Sequence, residues 1–255
     1  MVRQMVYRDV LDALDRIFFG QAIEYMPVKG AYLLCSGLAG KMTVREMIDI
    51  DLLVRPTDFT RTVASFSTHP CFTREPPDPW SFEQSFLFRH GNHTVRFELH
   101  CALNRAERFV LDVGAMFDRA HLQTSVRRIM SVEDALMVLI SHTLVHLVEG
   151  IREQVFEEAV LLLQEQRFSY ERFSTILNTT GIERFGKALL TLTAQKRGLL
   201  LPAALVASSW MVALLSIKTP RRGKGLRTML FRGVVELFFV KNPAGLVWGY
   251  LRKWR

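Results

Sequence analysis

Helical and strand-like spacings of apolar residues alternate in the first half of the chain, and only helical spacing continues through the second. Residues 4–24 place Val10, Leu11, Leu14, Ile17 and Phe18 at helical intervals with charges between them, which predicts an amphipathic helix. MPVKG reads as a short strand ending in a Lys29-Gly30 turn, and AYLLCSGLAG as a short helix stopped by glycine. MIDIDLLV is a strand closed by Pro56, and PTDFTRTVASF opens as a helix with Thr57 or Asp58 as its cap. REPPDPW is too rich in proline for a helix interior or a central strand. SFLFRHGNHTVRFELHCAL alternates about a His-Gly-Asn turn, which predicts a β-hairpin. From Ser131 onward, SVEDALMVLISHTLVHLVEG starts a helical series, with further stretches near 151–166, 169–178, 182–197, 199–217 and 226–240. This order predicts an α+β fold in two lobes, residues 1–130 mixed and residues 131–255 all helical.

Two positions break the strand pattern. Asp49 and Asp51 interrupt a run of Ile, Leu and Val, and burying unpaired charge is costly. Two residues apart on a strand, they face the same way, about 7 Å apart, while Ile48, Ile50 and Leu52 face a core. Carboxylates so placed can share divalent cations. Magnesium suits a couple of carboxylates plus substrate phosphates, and two ions can clamp both oxygens of a phosphoryl or nucleotidyl transfer. A third acid is available: in TVRFELHC, Arg96, Glu98 and His100 share one face, so Glu98 completes the set if this strand lies beside the aspartate strand. His100 would face the site as a phosphate or substrate contact, or support it from behind. Lys29 and Gly30, at a strand-to-helix turn, offer a cation and backbone N–H groups to a phosphate.

Composition narrows the class. The chain has 255 residues, 49% hydrophobic and 23% charged, which is globular and not disordered. The net charge of +8 favours an anionic partner. It is concentrated: from Arg221 onward there are nine Lys/Arg and one acid, Glu236. Three cysteines without C-x-x-C spacing point to a reducing compartment and away from a disulfide framework or cysteine zinc site. The N-terminus lacks the features of a signal peptide, so the expected location is cytoplasmic or membrane-peripheral. Leu199–Ile217 contains no charge. It is long enough to span a bilayer, but its place in the helical lobe favours a buried helix. His142 and His146 lie four apart on one helix face without an H-E-x-x-H pattern, which favours packing at a helix interface over metal binding. The tail mixes Trp248, Tyr250 and Trp254 with basic residues. It suits packing on the helical lobe, weak anionic-lipid contact or RNA contact.

Taken together, VKGAYLL, then Arg45 ahead of DIDLLV, then FELHCAL resemble the bacterial uncharacterised nucleotidyltransferase family of the DNA-polymerase-β-like superfamily. The resemblance implies a minimal nucleotidyltransferase core, a short mixed β-sheet with helices, followed by an all-helical C-terminal lobe. It implies that Asp49, Asp51 and Glu98 are catalytic and hold Mg²⁺, two ions in all, with Glu98 also a candidate base. Lys29, Gly30 and Arg45 would meet the triphosphate. The implied substrate is an NTP, ATP by default, and the acceptor a small molecule, tRNA or protein. A catalytically silent relative acting as a membrane-peripheral or scaffold protein is the alternative.

Overall fold

The computed structural model describes residues 2–42, 47–76, 82–104, 109–147 and 150–216, together with Phe239. Two compact units are present. The first is Met1–Leu103 with Asp112–Ser131, and the second is Asn104–Leu111 with Val132–Arg255.

The first unit is α+β. Helix α1 (Val2–Gly20) leads into strand β1 (Tyr25–Pro27), helix α2 (Lys29–Cys35) and a 3-10 turn at Leu38–Lys41. Strand β2 (Asp49–Val54) is followed by helix α3 (Pro56–Thr68), then strands β3 (Phe72–Arg74), β4 (Glu83–His90) and β5 (His93–His100). Helix α4 (Val113–Arg119) and a small hairpin, β6 (His121–Leu122) and β7 (Arg128–Ile129), close the unit. The five-stranded sheet has the order β1-β2-β5-β4-β3. It is mixed: β2 and β5 run parallel and every other neighbouring pair is antiparallel.

Alternation fixes which face is dry. Phe86, Phe88, Val95, Phe97 and Leu99 point to one side of the sheet together with Ile50, Leu52 and Val54, all buried. There they meet Phe66 of α3 and Phe72 of β3 in a stack of rings, Phe66 on Phe72 at 4.5 Å and Phe86 on Phe97 at 5.2 Å. Such pairs add about 0.5–1.5 kcal/mol each beyond their buried area, so the aromatic layer locks β5 against β4 and, through Ile50 and Leu52, against β2. A second anchor holds β1. The buried Arg127 guanidinium donates to Asp12 and Asp15 of α1 and to the Tyr25 hydroxyl.

The second unit is helical: α5 (Val132–Val145), α6 (Glu153–Leu163), α7 (Tyr170–Thr180), α8 (Glu183–Arg197) and α9 (Ser209–Ser216). Most of α5 is buried, the acids Glu133 and Asp134 of its first turn included. Its Glu133 reaches across to accept the Ser169 backbone N–H at 2.8 Å, which with Ser169 itself caps α7.

Several expectations need correction. The uncharged stretch 199–217 is not one buried helix. Gly198, in the left-handed region, ends α8, and Pro202, which lacks an N–H, forces extended chain before it. A 3-10 turn at Ala203–Leu205 and the short α9 follow, and Leu200 is 95% exposed. Among the described residues no helix is long and apolar enough to cross a membrane. Helix α3 is capped by neither Thr57 nor Asp58; it starts with Pro56 at its first position behind Arg55, where a missing N–H costs nothing. Lys29 and Gly30 already belong to α2. The expected helix near 226–240 and the basic aromatic tail lie outside the described residues, Phe239 excepted.

Candidate functional site

Strand β2 is an interior strand, with β1 on one side and the central strand β5 on the other. Its parallel register with β5 pairs Asp49 with Arg96, Asp51 with Glu98 and Leu53 with His100. Paired positions on adjacent strands project to the same face. The face opposite the aromatic layer therefore carries Asp49, Asp51, Arg96, Glu98 and His100. Strand β4 adds Ser85 beside Glu98 and Glu83 beside His100. Glu98 thus stands next to Asp51, on the side of the sheet to which both aspartates point.

The turn after β1 delivers a cation to this face. The Val28 N–H donates to the Asp51 carbonyl at 3.0 Å, which sets the next residue over the Asp51 side chain. Lys29 has a φ of +52°, a left-handed conformation that costs a residue with a Cβ on the order of 1 kcal/mol. The ion pair it makes offsets that strain: Lys29 Nζ lies 2.6 Å from Asp51 Oδ1. His100 Nε2 meets the same oxygen at 3.1 Å and lies 3.8 Å from Glu98 Oε2. Gly30 follows Lys29 in α2 and is buried. Arg96 sits 3.2 Å from Glu98 Oε1 and is held by Glu75 at 2.8 Å and the Ser85 hydroxyl at 3.1 Å.

The charges are strongly coupled. Burial alone pushes the Asp51 carboxyl up, but the hydrogen bond from His100 and the Lys29 charge outweigh it, and its pKa falls well below the carboxylate range. Burial likewise opposes the Lys29 charge, and Asp51, helped by Glu98 and Asp49, overcomes it and raises the Lys29 pKa. Asp49 goes the other way: burial, then the negative charges of Asp51 and Glu98, raise its pKa. A carboxylate pushed up by like charges is one that gains from an added cation.

The donor set fits a divalent ion. Ligand atoms of Asp51, Glu98 and His100 lie within 4.8 Å of one another. Two of the three are carboxylates, the hard oxygen donors that Mg²⁺ prefers; an imidazole nitrogen also suits Mn²⁺ or Zn²⁺. The other His100 nitrogen, Nδ1, is buried and makes no hydrogen bond. Glu83 Oε2 is 3.4 Å from it but is not aligned to accept. Asp49, expected as a ligand, is not part of the 4.8 Å group, and His100, expected as a nucleotide contact, is. Arg45 lies outside the described residues. Arg96, Glu83 and Ser85 join the site beyond the residues the sequence pattern marks. Arg96 was visible in the R-x-E-x-H alternation, whereas Glu83 and Ser85 depend on the β4 register. His142 and His146 lie in the other unit with ring centroids 4.4 Å apart.

A family model described as "uncharacterised nucleotidyltransferase" matches residues 1–197, more than half of the chain. The chain belongs to this family. The match spans the whole five-stranded sheet, with its acidic face, and continues through α8. No curated protein and no solved structure matches the chain.

Proposed function

We propose that the chain is a Mg²⁺-dependent nucleotidyltransferase that moves a nucleotidyl group from an NTP to an acceptor hydroxyl. The observation that carries this reading is the parallel register of β2 and β5, which sets Asp51 beside Glu98 under the Lys29 ammonium. Asp49, Asp51 and Glu98 would hold two Mg²⁺ ions, with residues 1–130 forming the catalytic core and residues 131–255 a helical lobe. Bound there, the ions supply charge neutralisation at the reacting phosphate and a lowered pKa at the acceptor hydroxyl.

The side chains account for the rest of the chemistry. His100, fixed against Asp51, orients that carboxylate and keeps it ionised. Lys29, with Gly30 and Arg45, meets the triphosphate. The acceptor oxygen bonds to the α-phosphorus, the bond from that phosphorus to the bridging oxygen breaks, pyrophosphate leaves, and Glu98 takes the acceptor proton. Preorganised charge of this kind needs no rearrangement during the reaction. ATP is the default donor, the acceptor is a small molecule, tRNA or protein, and the compartment is the cytoplasm.

One observation favours a second reading. Lys29 and His100 both occupy Asp51 Oδ1, as an internally neutralised, catalytically silent site would have it. Incubation with each α-³²P-labelled NTP, Mg²⁺ and cell extract separates the two. Label transferred by the wild type and lost in Asp51→Asn supports the enzyme; no transfer, with no Mg²⁺-dependent nucleotide binding, supports the silent protein.

A further inference from the structure

We propose that Arg96, held by Glu75 at the start of REPPDPW, is a positioning residue that sets the Glu98 carboxylate for a divalent ion. The inference rests on the metal-dependent reading above and gives a role to two residues which that reading does not use. Arg96 lies on β5 opposite Asp49, two residues before Glu98 and on the same face. Each nitrogen of its guanidinium meets a different group. Nε donates to Glu75 Oε2 at 2.8 Å and Nη2 to the Ser85 hydroxyl at 3.1 Å, while Nη1 lies 3.2 Å from Glu98 Oε1. Arg96 thereby engages one carboxylate oxygen of Glu98. The other, Oε2, lies 3.8 Å from His100 Nε2, and Glu98 belongs with Asp51 and His100 to the close donor group. A guanidinium is a planar fork whose donors have fixed directions, so pinning two of its nitrogens aims the third.

Glu75 is itself anchored. Its N–H donates to the Ser85 carbonyl at 3.1 Å, and its carbonyl accepts from the Gln84 side-chain amide at 2.8 Å. Gln84 is buried. Its amide nitrogen also donates to the Ser85 carbonyl at 3.0 Å, and its amide oxygen accepts from Arg74 Nε at 2.9 Å. A buried glutamine of β4 thus commits both donors of its amide to the backbone at Glu75 and Ser85, the two residues that hold Arg96. Stability alone does not explain the arrangement. The Arg96 and Glu75 side chains are 43% and 29% exposed, and ion pairs that reach water contribute little to folding. What the contacts fix is orientation, passed from Glu75 to Arg96 to Glu98. Partners that hold a metal-binding carboxylate in place fix its direction, and losing one costs about 10–100-fold in metal affinity.

The test is titration of the full chain with Mn²⁺, followed by the electron paramagnetic resonance signal of the free ion. It compares the wild type with Arg96→Gln, Arg96→Lys, Glu75→Gln and the double variant of Glu75→Gln with Arg96→Gln. Charge and position predict opposite signs. Removing a cation from this face should by charge alone tighten Mn²⁺, whereas losing the fork on Glu98 should loosen it. Arg96→Gln is expected to weaken Mn²⁺ binding about tenfold or more. Arg96→Lys, which keeps the charge without the fork, should weaken it as well. Glu75→Gln, which retains an acceptor for Nε, should weaken it less. Adding it to Arg96→Gln should change nothing further, because Glu75 acts through Arg96. Melting temperatures should stay within a few degrees of the wild type, since both side chains reach solvent. Unchanged or tighter binding in Arg96→Gln, or wild-type affinity in Arg96→Lys, would overturn the proposal and leave the metal site standing. Loss of the melting transition in both Arg96 variants would make Arg96 a residue of the fold and overturn it too. Absence of Mn²⁺ binding by the wild type would remove the metal-dependent reading, and this inference with it.

Discussion

Replacing Lys29 by methionine isolates the ion pair at the centre of the site. The ammonium lies 2.6 Å from Asp51 Oδ1, and the two side chains are 23% and 6% exposed. Removing one partner of a buried pair costs about 3–5 kcal/mol when nothing else meets the remaining charge. The loss is smaller here for three reasons. His100 stays on the same oxygen, methionine carries no charge to desolvate, and Lys29 itself reaches solvent. A loss of about 2 kcal/mol at neutral pH is expected.

That loss carries a pH signature. Asp51 has a folded pKa below its unfolded value of about 3.9, so its share of stability is present above that value and disappears as pH falls through the folded one. Lys29 has a folded pKa above its unfolded value of about 10.4, so its share is present below that value and disappears as pH rises through the folded one. The advantage of the wild type over Lys29→Met should form a plateau between about pH 4 and about pH 10 and shrink on both sides. Urea midpoints measured across a pH series read it directly. A difference that is flat across the whole range would refute the ion pair as its source and leave only lost packing.

Three further outcomes follow from the same geometry. Arg127→Met should lower stability by about 3 kcal/mol or more and leave Asp12, Asp15 and the Tyr25 hydroxyl without their shared donor; a thermal melt within a degree of wild type would contradict it. The Cys35 thiol, pushed up to about 11 by burial, should alkylate with iodoacetamide far more slowly at neutral pH than a free thiol of ordinary pKa, and rapid labelling mapped by mass spectrometry would count against that burial. Gly186→Ala would set a Cβ 2.6 Å from Cδ1 of the buried Leu177, so about 1–3 kcal/mol should be lost in the denaturant midpoint, with nucleotide binding unchanged.

The acidic face was legible because alternation has one period and one consequence. Once DIDLLV and RFELH are strands, Asp49 and Asp51 share a face, and so do Arg96, Glu98 and His100. What alternation does not contain is register. Asp51 meets Glu98 because the aromatic layer of Phe66, Phe72, Phe86 and Phe97 seats β5 at one height on β2, and that packing is tertiary. The same limit explains why His100 rather than Asp49 joins Asp51 and Glu98 in the close donor group: His100 lies beyond Glu98 along β5 and folds back onto the Asp51 oxygen. The Lys29-Gly30 turn was visible as a turn, but its aim at Asp51 depends on the Val28–Asp51 backbone bond. In the helical half, apolar content alone suggested a buried helix over 199–217. Gly198 and Pro202 were the stop signals, and they prevail because one allows the left-handed exit from α8 and the other cannot donate a helical hydrogen bond.

The central claim is that the acidic face of β2 and β5 binds an NTP through divalent metal. Calorimetric titration of the full chain with each NTP, with and without Mg²⁺, tests it most directly when the wild type is set beside Asp51→Asn and Glu98→Gln. Nucleotide binding that requires Mg²⁺ in the wild type and is lost in both variants, with their melting transitions retained, is the predicted result. Binding that persists without Mg²⁺, or that survives in either folded variant, would contradict the account.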